Sequence, residues 1–498
     1  MNGRTLAALG LAGLAHRGPA PEPGLSIAGL TADSREVKPG FLFAALRGRL
    51  DGAEFAQYAV RMGAAAVLAD EAGAERAKAD IGSWPVPFVI DPEPRRRLAL
   101  AAAAFFGAQP ETLVAVTGTN GKTSVASFAR QIFAALGRRA ASFGTVGVEG
   151  ADILAPAMTT PDPVALHRLL AALAAEGVTH AAMEASSHGL AQYRVDGARL
   201  AAAAFTNISR DHLDYHETFD AYLAAKLRLF SEVLPEGAAA VINADEACFP
   251  EALRAARRAE VIPYGRDREA ARGLRLLDAR FDAEGQSLDL EWRGAPRRVR
   301  LGLVGGFQGL NAMAAAGLAI GAGEAPEAVF GAMEALVGVR GRMERVATRA
   351  NGAAVYVDYA HTPAGLATAL AALRLHTPGR LVVVFGAGGD RDRGKRPEMG
   401  RAAAAGADVV IVTDDNPRNE DPAAIRAEVM AGCPGAEEAG DRAEAILRGV
   451  DSLSPHDRLL IAGKGHETGQ EIMGVTHPFD DAEIARAAVA ALDGEAER

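Results

Sequence analysis

The stretch Val116-Thr117-Gly118-Thr119-Asn120-Gly121-Lys122-Thr123-Ser124 carries the residue types of a phosphate cradle. The apolar run Leu113 to Val116 reads as a buried strand before it. Val125 to Leu136 repeats apolar and Ala positions at helical spacing after it. A Gly-bearing loop between strand and helix turns backbone N–H groups and the positive end of the helix dipole toward an anion. There the Lys122 ammonium suits the outer phosphates and the Thr123 hydroxyl suits Mg²⁺. The usual loop of this kind has a Gly five residues before Gly121. This chain has Val116 there, so the pattern is the shortened GxxGK[ST] form. A Gly turn followed by a surface lysine is the plainer alternative.

Three more clusters hold groups that could work beside phosphates. In Met183-Glu184-Ala185-Ser186-Ser187-His188-Gly189, Glu184 directly follows a buried strand, and a hard carboxylate at the mouth of a sheet suits Mg²⁺. A polar loop capping a helix is the simpler reading. Thr206-Asn207-Ile208-Ser209-Arg210-Asp211-His212-Leu213-Asp214-Tyr215-His216 also follows an apolar strand. Its His and Asp residues could bind metal, although such loop residues are often only solvated. Lys226 lies on an apolar helical stretch and by itself reads as a snorkelling surface residue.

The elements that must position these groups follow from the pattern. A chain of 498 residues suits about three domains of roughly 150 residues each. Strands are predicted at Leu113–Val116, 181–183, 203–206 and 239–242, with Ala/Leu-rich helices such as 163–176 between them. That is βαβ order and a parallel sheet covered on both faces. Short strands and helices alternate from about 25 to 92. After a Gly/Arg cluster at 337–342 the alternation restarts at 354–357, Leu381–Phe385, Val409–Val412 and Arg458–Ala462, as in a doubly wound fold. The fold class is thus α/β in three domains, 1–93, 94–337 and 338–498.

Bulk properties exclude some functions. A net charge of −10 argues against sequence-independent nucleic-acid binding, while a local basic cleft for an anionic substrate stays open. Two distant cysteines, Cys248 and Cys433, give no disulfide framework or zinc-type spacing and fit a reducing compartment. The apolar stretch Leu6 to Ala15 reads as a first helix rather than a signal peptide. Leu98 to Ala108 is too short to span a bilayer. A cytoplasmic chain with no membrane partner is expected.

Taken together, the motifs resemble those of the Mur ligases of peptidoglycan synthesis. The TGTNGKTS loop, the MEASSHGL and TNISRDHLDYH segments and Lys226 match in type, order and approximate spacing. So do Gly341-Arg342-Met343-Glu344, Asp358-Tyr359-Ala360-His361-Thr362-Pro363 and Gly388-Gly389-Asp390-Arg391-Asp392. The resemblance covers nearly the whole chain. It implies a small α/β uridine-binding domain, a central P-loop ATPase domain with a mainly parallel sheet, and a Rossmann-like amino-acid-binding domain.

It also implies ATP-driven amide formation through an acyl phosphate, with residue roles to match. Gly118, Thr119, Asn120, Gly121, Lys122, Thr123 and Ser124 would hold ATP, with Asn311 at adenine, Asp358 at the ribose, His361 beside it and Arg342 near the γ-phosphate. The family pattern has Asn where this chain has Gln308, an amide on a longer stem. Thr123 and Glu184 would hold one Mg²⁺, and Glu184 with His212 a second. Lys226, carbamylated by CO₂ to N6-carboxylysine, would complete the metal ligands. Lys122, Glu184, His212, Lys226 and Arg342 would carry catalysis. Ser34, Arg35, Thr159, Thr160, Ser186, Gln192 and Arg194 would bind UDP-MurNAc-L-Ala-D-Glu. The Asp414-Asp415-Asn416-Pro417-Arg418 segment resembles the signature of members that add meso-diaminopimelate. Arg391, Asp415, Asn416, Arg418, Gly463 and Glu467 would form that pocket. Arg418 offers a planar fork for the second carboxylate, which lysine lacks. Addition of L-lysine or another amino acid is the nearest alternative, and a monomer is expected.

Overall fold

The computed structural model describes residues 3–22, 24–48, 50–154 and 158–496. They form two compact units. One holds the residues up to Leu274 together with Ala314–Val329, and the other holds Arg275–Met313 and the residues from Phe330 onward.

In the first unit, a sheet is ordered Ala15–Arg17, Phe88–Ile90, Ala66–Ala69, Phe41–Ala44, Gly29–Thr31. Only the Ala15–Arg17 pairing is antiparallel. Pro94 opens the helix Pro94–Phe106, since proline's fixed φ and missing N–H suit a helix start. That helix packs Leu98, Ala102 and Phe105 into the core with Leu42, Leu68 and Val89. The helix expected over Leu6 to Ala15 does not form. Residues 6–14 make turns that bury Leu6, Leu9 and Leu11. Gly10 at φ +71° breaks the right-handed path a helix needs.

The second sheet of this unit orders Gly147–Glu149, Ala140–Gly144, His180–Glu184, Thr112–Thr117, Leu200–Phe205, Ala239–Asn243, Glu260–Gly265. All pairs are parallel except the Gly147–Glu149 edge. The expected strands are all present, each one or two residues longer than its apolar run. Thr112–Thr117 pairs with His180–Glu184 on one side and Leu200–Phe205 on the other. The crossover directions diverge there, and such a switch point leaves a crevice beyond the strand ends.

The second unit has a sheet ordered Glu344–Thr348, Ala354–Asp358, Arg458–Ala462, Leu381–Phe385, Val409–Val412, Glu437–Glu438, parallel apart from its first pair. Asp358, Ala462, Phe385 and Val412 end level with one another, so the loops that follow share one edge. The same unit contains the antiparallel hairpin Gly285–Trp292 and Ala295–Leu301, beyond the strands expected from the sequence. No helix among the described residues is long and apolar enough to cross a membrane.

Arg442 and Asp481 form a fully buried bidentate ion pair in this unit, with Nε–Oδ1 and Nη2–Oδ2 both 2.7 Å. Arg442 also donates to the Asp414 and Ala462 carbonyls. Removing one partner strands a charge away from water. Asp481→Ala is therefore expected to lower stability by about 3–5 kcal/mol, read from urea unfolding followed by circular dichroism. An unchanged midpoint would show that the pair holds nothing together.

Candidate active site

The loop 118–121 leaves the central strand Thr112–Thr117 and enters the helix Lys122–Ala135. Gly118 at φ +147° lies against the neighbouring strand end, and a Cβ there would stand 1.9 Å from Thr206 Oγ1. That neighbour braces the loop throughout. Thr206 Oγ1 donates to the Asn120 carbonyl (2.6 Å), the Asn120 N–H donates to Asn207 Oδ1 (2.9 Å), and the Ser209 N–H donates to Thr119 Oγ1 (3.0 Å). Lys122 curls back, its ammonium donating to the Gly118 and Thr119 carbonyls at 2.9 and 2.8 Å.

Lys226 departs from the surface reading. It is 1 % exposed, and its Nζ donates to the Gly118 carbonyl at 2.7 Å and lies 4.5 Å from the Tyr222 ring centre. One turn earlier on the same helix, Tyr222 hydrogen-bonds through its hydroxyl to Thr119 Oγ1 at 3.0 Å. Burial, reinforced by the Lys122 charge and opposed by Asp211, pushes the Lys226 ammonium down to about 6. At neutral pH its amine is largely unprotonated.

Glu184 ends its strand fully buried, and its carboxylate accepts from the Thr145 N–H (2.8 Å) and Oγ1 (3.2 Å). Glu184 and Thr123 line one small cavity. His212 lies at φ +52° on the loop after the strand Leu200–Phe205, half-exposed, with its ring 4.8 Å from that of His188. Among the described residues no group of three or more His, Cys, Asp or Glu is arranged to hold a metal by itself.

A cavity of about 1050 Å³ lies between the first sheet and the helix Pro163–Ala175. Ser34, Arg35, Gln192 and Arg194 line it. Arg35 is paired to Asp33 yet 84 % exposed at its side chain. Arg194 donates to the Thr160 carbonyl (2.7 Å) and to Gln192 Oε1 (2.7 Å). The buried Thr160 hydroxyl donates to the Glu184 carbonyl (3.0 Å) and accepts from the Ser186 N–H (3.0 Å). Thr159 meets Thr145 through their hydroxyls at 2.9 Å. Gln192, Arg194, Thr159, Thr160 and Ser186 therefore form one hydrogen-bonded chain that reaches Glu184, while Arg35 bonds to Asp33 instead. Arg95, Arg168 and Tyr58 also line the cavity, and no motif had marked them.

In the second unit, Asp358 accepts from the Met343 N–H at 2.7 Å. Burial raises its carboxyl, against the pull of Arg342. The Arg342 guanidinium stacks 4.6 Å from the Tyr359 ring. Gln308 is buried, accepts from Asn311 Nδ2 (2.9 Å) and donates to the Arg342 carbonyl (3.2 Å), so its longer stem is used to tie the helix to that loop. Asn416 Nδ2 donates to Glu467 Oε2 (3.0 Å), and Arg418 pairs with Glu471 (3.0 Å) and donates to the Gly389 carbonyl (2.9 Å). Gly463 at φ +122° passes close by Asp415, where a Cβ would stand 3.3 Å from Oδ2. Arg391 and His361 are exposed and bond to the backbone of Asp390 and Tyr359.

Residues 26–106 match the Mur ligase family, catalytic domain; 116–319 match the Mur ligase middle domain; 341–465 match the Mur ligase, glutamate ligase domain. UDP-N-acetylmuramoyl-L-alanyl-D-glutamate--2,6-diaminopimelate ligase of Bradyrhizobium diazoefficiens is 54% identical over 471 residues, 94% of this chain and 95% of the relative. The same-named ligase of Caulobacter vibrioides is 53% identical over 465 residues, 91% and 94% of the two chains. A solved structure of a ligase of that name superposes with a TM-score of 0.71 at 35% identity, covering 95% of this chain and 96% of the other. The chain belongs to the Mur ligase family.

As a Mur ligase it has a three-domain α/β fold with a mostly parallel central sheet, as expected. Its P-loop depends on the close approach at Gly118. Gly118→Ala forces both a disfavoured φ and a clash with Thr206. We expect it to weaken ATP-analogue binding by at least about tenfold, on the order of 1.4 kcal/mol, with an unchanged circular dichroism spectrum. Undiminished affinity in a titration would show that the loop tolerates a side chain there.

Proposed function

We propose that this chain is an ATP-dependent amide ligase that joins meso-2,6-diaminopimelate to the D-Glu γ-carboxyl of UDP-MurNAc-L-Ala-D-Glu, in the cytoplasm and as a monomer. One observation carries the choice of amine. Arg418 is held by Glu471 and Gly389 beside the Asn416–Glu467 pair, in a chain about half identical to ligases named for diaminopimelate.

A carboxylate is a poor acylating agent, so its oxygen first attacks the γ-phosphorus of ATP. The bond to ADP breaks and an acyl phosphate forms. The amine then attacks the acyl carbon, a C–N bond forms, phosphate leaves and the nitrogen gives up a proton. Two anions meet in the first step, so alignment and neutralisation carry much of the barrier reduction. Lys122 and the N–H groups of Gly118 to Ser124 suit the phosphates, and Arg342 would approach the γ-phosphate. Asn311, Asp358 and His361 would hold the nucleoside. Ser34 and Arg35 would take the uridine end of the cavity, and Thr159, Thr160, Ser186, Gln192 and Arg194 the muramoyl dipeptide. Arg391, Asp415, Asn416, Arg418, Gly463 and Glu467 would receive the amino acid, Arg418 taking the distal carboxylate and Glu467 the distal ammonium.

Thr123 and Glu184 offer hard oxygen donors to one cavity, a donor set that fits Mg²⁺; bound Mg²⁺ would neutralise the phosphates. His212 and Lys226 would serve a second ion. An ammonium cannot ligate a cation, but the largely neutral Lys226 amine can add to CO₂, lose a proton and become an anionic carbamate. The domain division in this reading is 1–93 for uridine, 94–337 for ATP and 338–498 for the amino acid. Separate sheets at 15–90, 112–301 and 344–462 support it.

Phosphate release with the UDP-sugar dipeptide and ATP should require meso-diaminopimelate, with L-lysine or no amine giving little. Arg418→Ala should remove most of that turnover, by at least about tenfold, while ATP binding persists. Equal use of lysine, or unchanged kinetics for the variant, overturns the choice of amine. For Lys226, ¹³C-bicarbonate labelling should give a carbamate resonance that Lys226→Ala lacks, and added short carboxylic acids should restore part of that variant's activity. Full activity of Lys226→Ala without additives would remove the carbamate from the reading.

A further inference from the structure

Lys464 has no assigned role, yet it is 0 % exposed at the carboxyl end of the strand Arg458–Ala462. Its ammonium donates to Asn416 Oδ1 at 2.8 Å and to the Gly469 carbonyl at 2.9 Å. It also lies 3.4 Å from Asp415 Oδ1, an atom with no hydrogen-bond partner of its own. Three N–H donors thus face three acceptors on two different segments, the loop at 415–416 and the strand that begins at Gly469. A buried ammonium is tolerated only when its acceptors are complete.

The consequence reaches the amide of Asn416. Two donors, Lys464 Nζ and the Glu471 N–H (2.9 Å), point at the same Asn416 atom. That atom must be the oxygen, because an amide NH₂ accepts nothing. The NH₂ end is thereby turned to Glu467 Oε2 at 3.0 Å. Through Gly469 the same ammonium pins the hairpin Gly469–Ile472 and Val475–Pro478. Glu471 of that hairpin pairs with Arg418 and accepts its N–H at the backbone carbonyl (3.0 Å), while the Met473 N–H donates to the Arg418 carbonyl (2.7 Å).

We propose that Lys464 is a positioning residue for the amino-acid substrate, fixing the Asn416–Glu467 pair and the Arg418-bearing turn without touching the substrate itself. This rests on the proposed reading that those residues bind the incoming amine. Without Lys464 the Asn416 oxygen keeps only the Glu471 N–H to hold its orientation, and Asp415 loses the cation 3.4 Å from its carboxylate. The amine site should loosen while the nucleotide site does not.

The test uses the full chain and separates KM from kcat for each substrate. Lys464→Met should raise the diaminopimelate KM at least about tenfold, while KM for ATP and for the UDP-sugar dipeptide stays within about twofold. The ratio of turnover with diaminopimelate to that with L-lysine should fall. Lys464→Gln keeps two N–H donors on a shorter, neutral stem and should raise the diaminopimelate KM about threefold. Lys464→Gln decides the matter if the methionine variant does not fold. A diaminopimelate KM unchanged in a folded variant, or equal rises in all three KM values, overturns the proposal. The wild-type enzyme is the control for the reading beneath it. If it uses a different amine, that reading fails, and the Lys464 proposal is then judged by the KM of the amine it does use.

Discussion

The cost of keeping a lysine nitrogen away from water governs the architecture around both sites. Lys226 in the first unit and Lys464 in the second are almost wholly buried, and each is met by backbone carbonyls that loops must deliver. Gly118 supplies one for Lys226, and Gly469 one for Lys464. A carbonyl turned toward a buried N–H donor dictates the path of the loop that carries it. The phosphate loop and the hairpin beside Arg418 are therefore shaped by the lysine side chains underneath them as well as by their own sequences.

The parallel sheets explain why those lysines sit where they do. Parallel strands that end in register leave a common edge of unpaired carbonyls and N–H groups. In the first unit Glu184 pairs with Val116 and Phe205 with Thr117, so the acid, the P-loop and the Thr206 brace emerge side by side. In the second, Asp358 ends one of the strands that finish level, and Gly463, Gly388 and Asp415 follow the others. Chemistry gathers at these edges because the polar backbone there is already open to partners.

Much of this was legible in the chain. The apolar runs at 113–116, 381–385, 409–412 and 458–462 gave their strands almost to the residue, because buried parallel strands read as continuous apolar segments. Lys226 was not legible as a buried group. The face it shares with Tyr222 is covered by a loop 108 residues away, and local periodicity carries no information about such a cover. The expected helix at Leu6 to Ala15 failed for the opposite reason: its apolar content was right, but Gly10 permitted a turn that apolar spacing alone does not reveal. The hairpin at 285–301 alternates apolar and charged residues around Arg293-Gly294, the period-two signal of a half-buried strand pair. Arg95 and Arg168 reach the large cavity from helices whose sequences look like ordinary solvated faces.

The shortened P-loop has a mechanical corollary. Only four residues, 118–121, separate the last strand residue from the first helical one, with Gly118 pressed on Thr206 and Gly121 in the left-handed region. There is no slack in such a link. Each residue added or lost at the helix start would turn the helix by about 100°, carrying Thr123 away from the cavity it shares with Glu184. Loop length here works as a phase setting between sheet and helix, so insertions should be harder to accommodate in this loop than many side-chain changes.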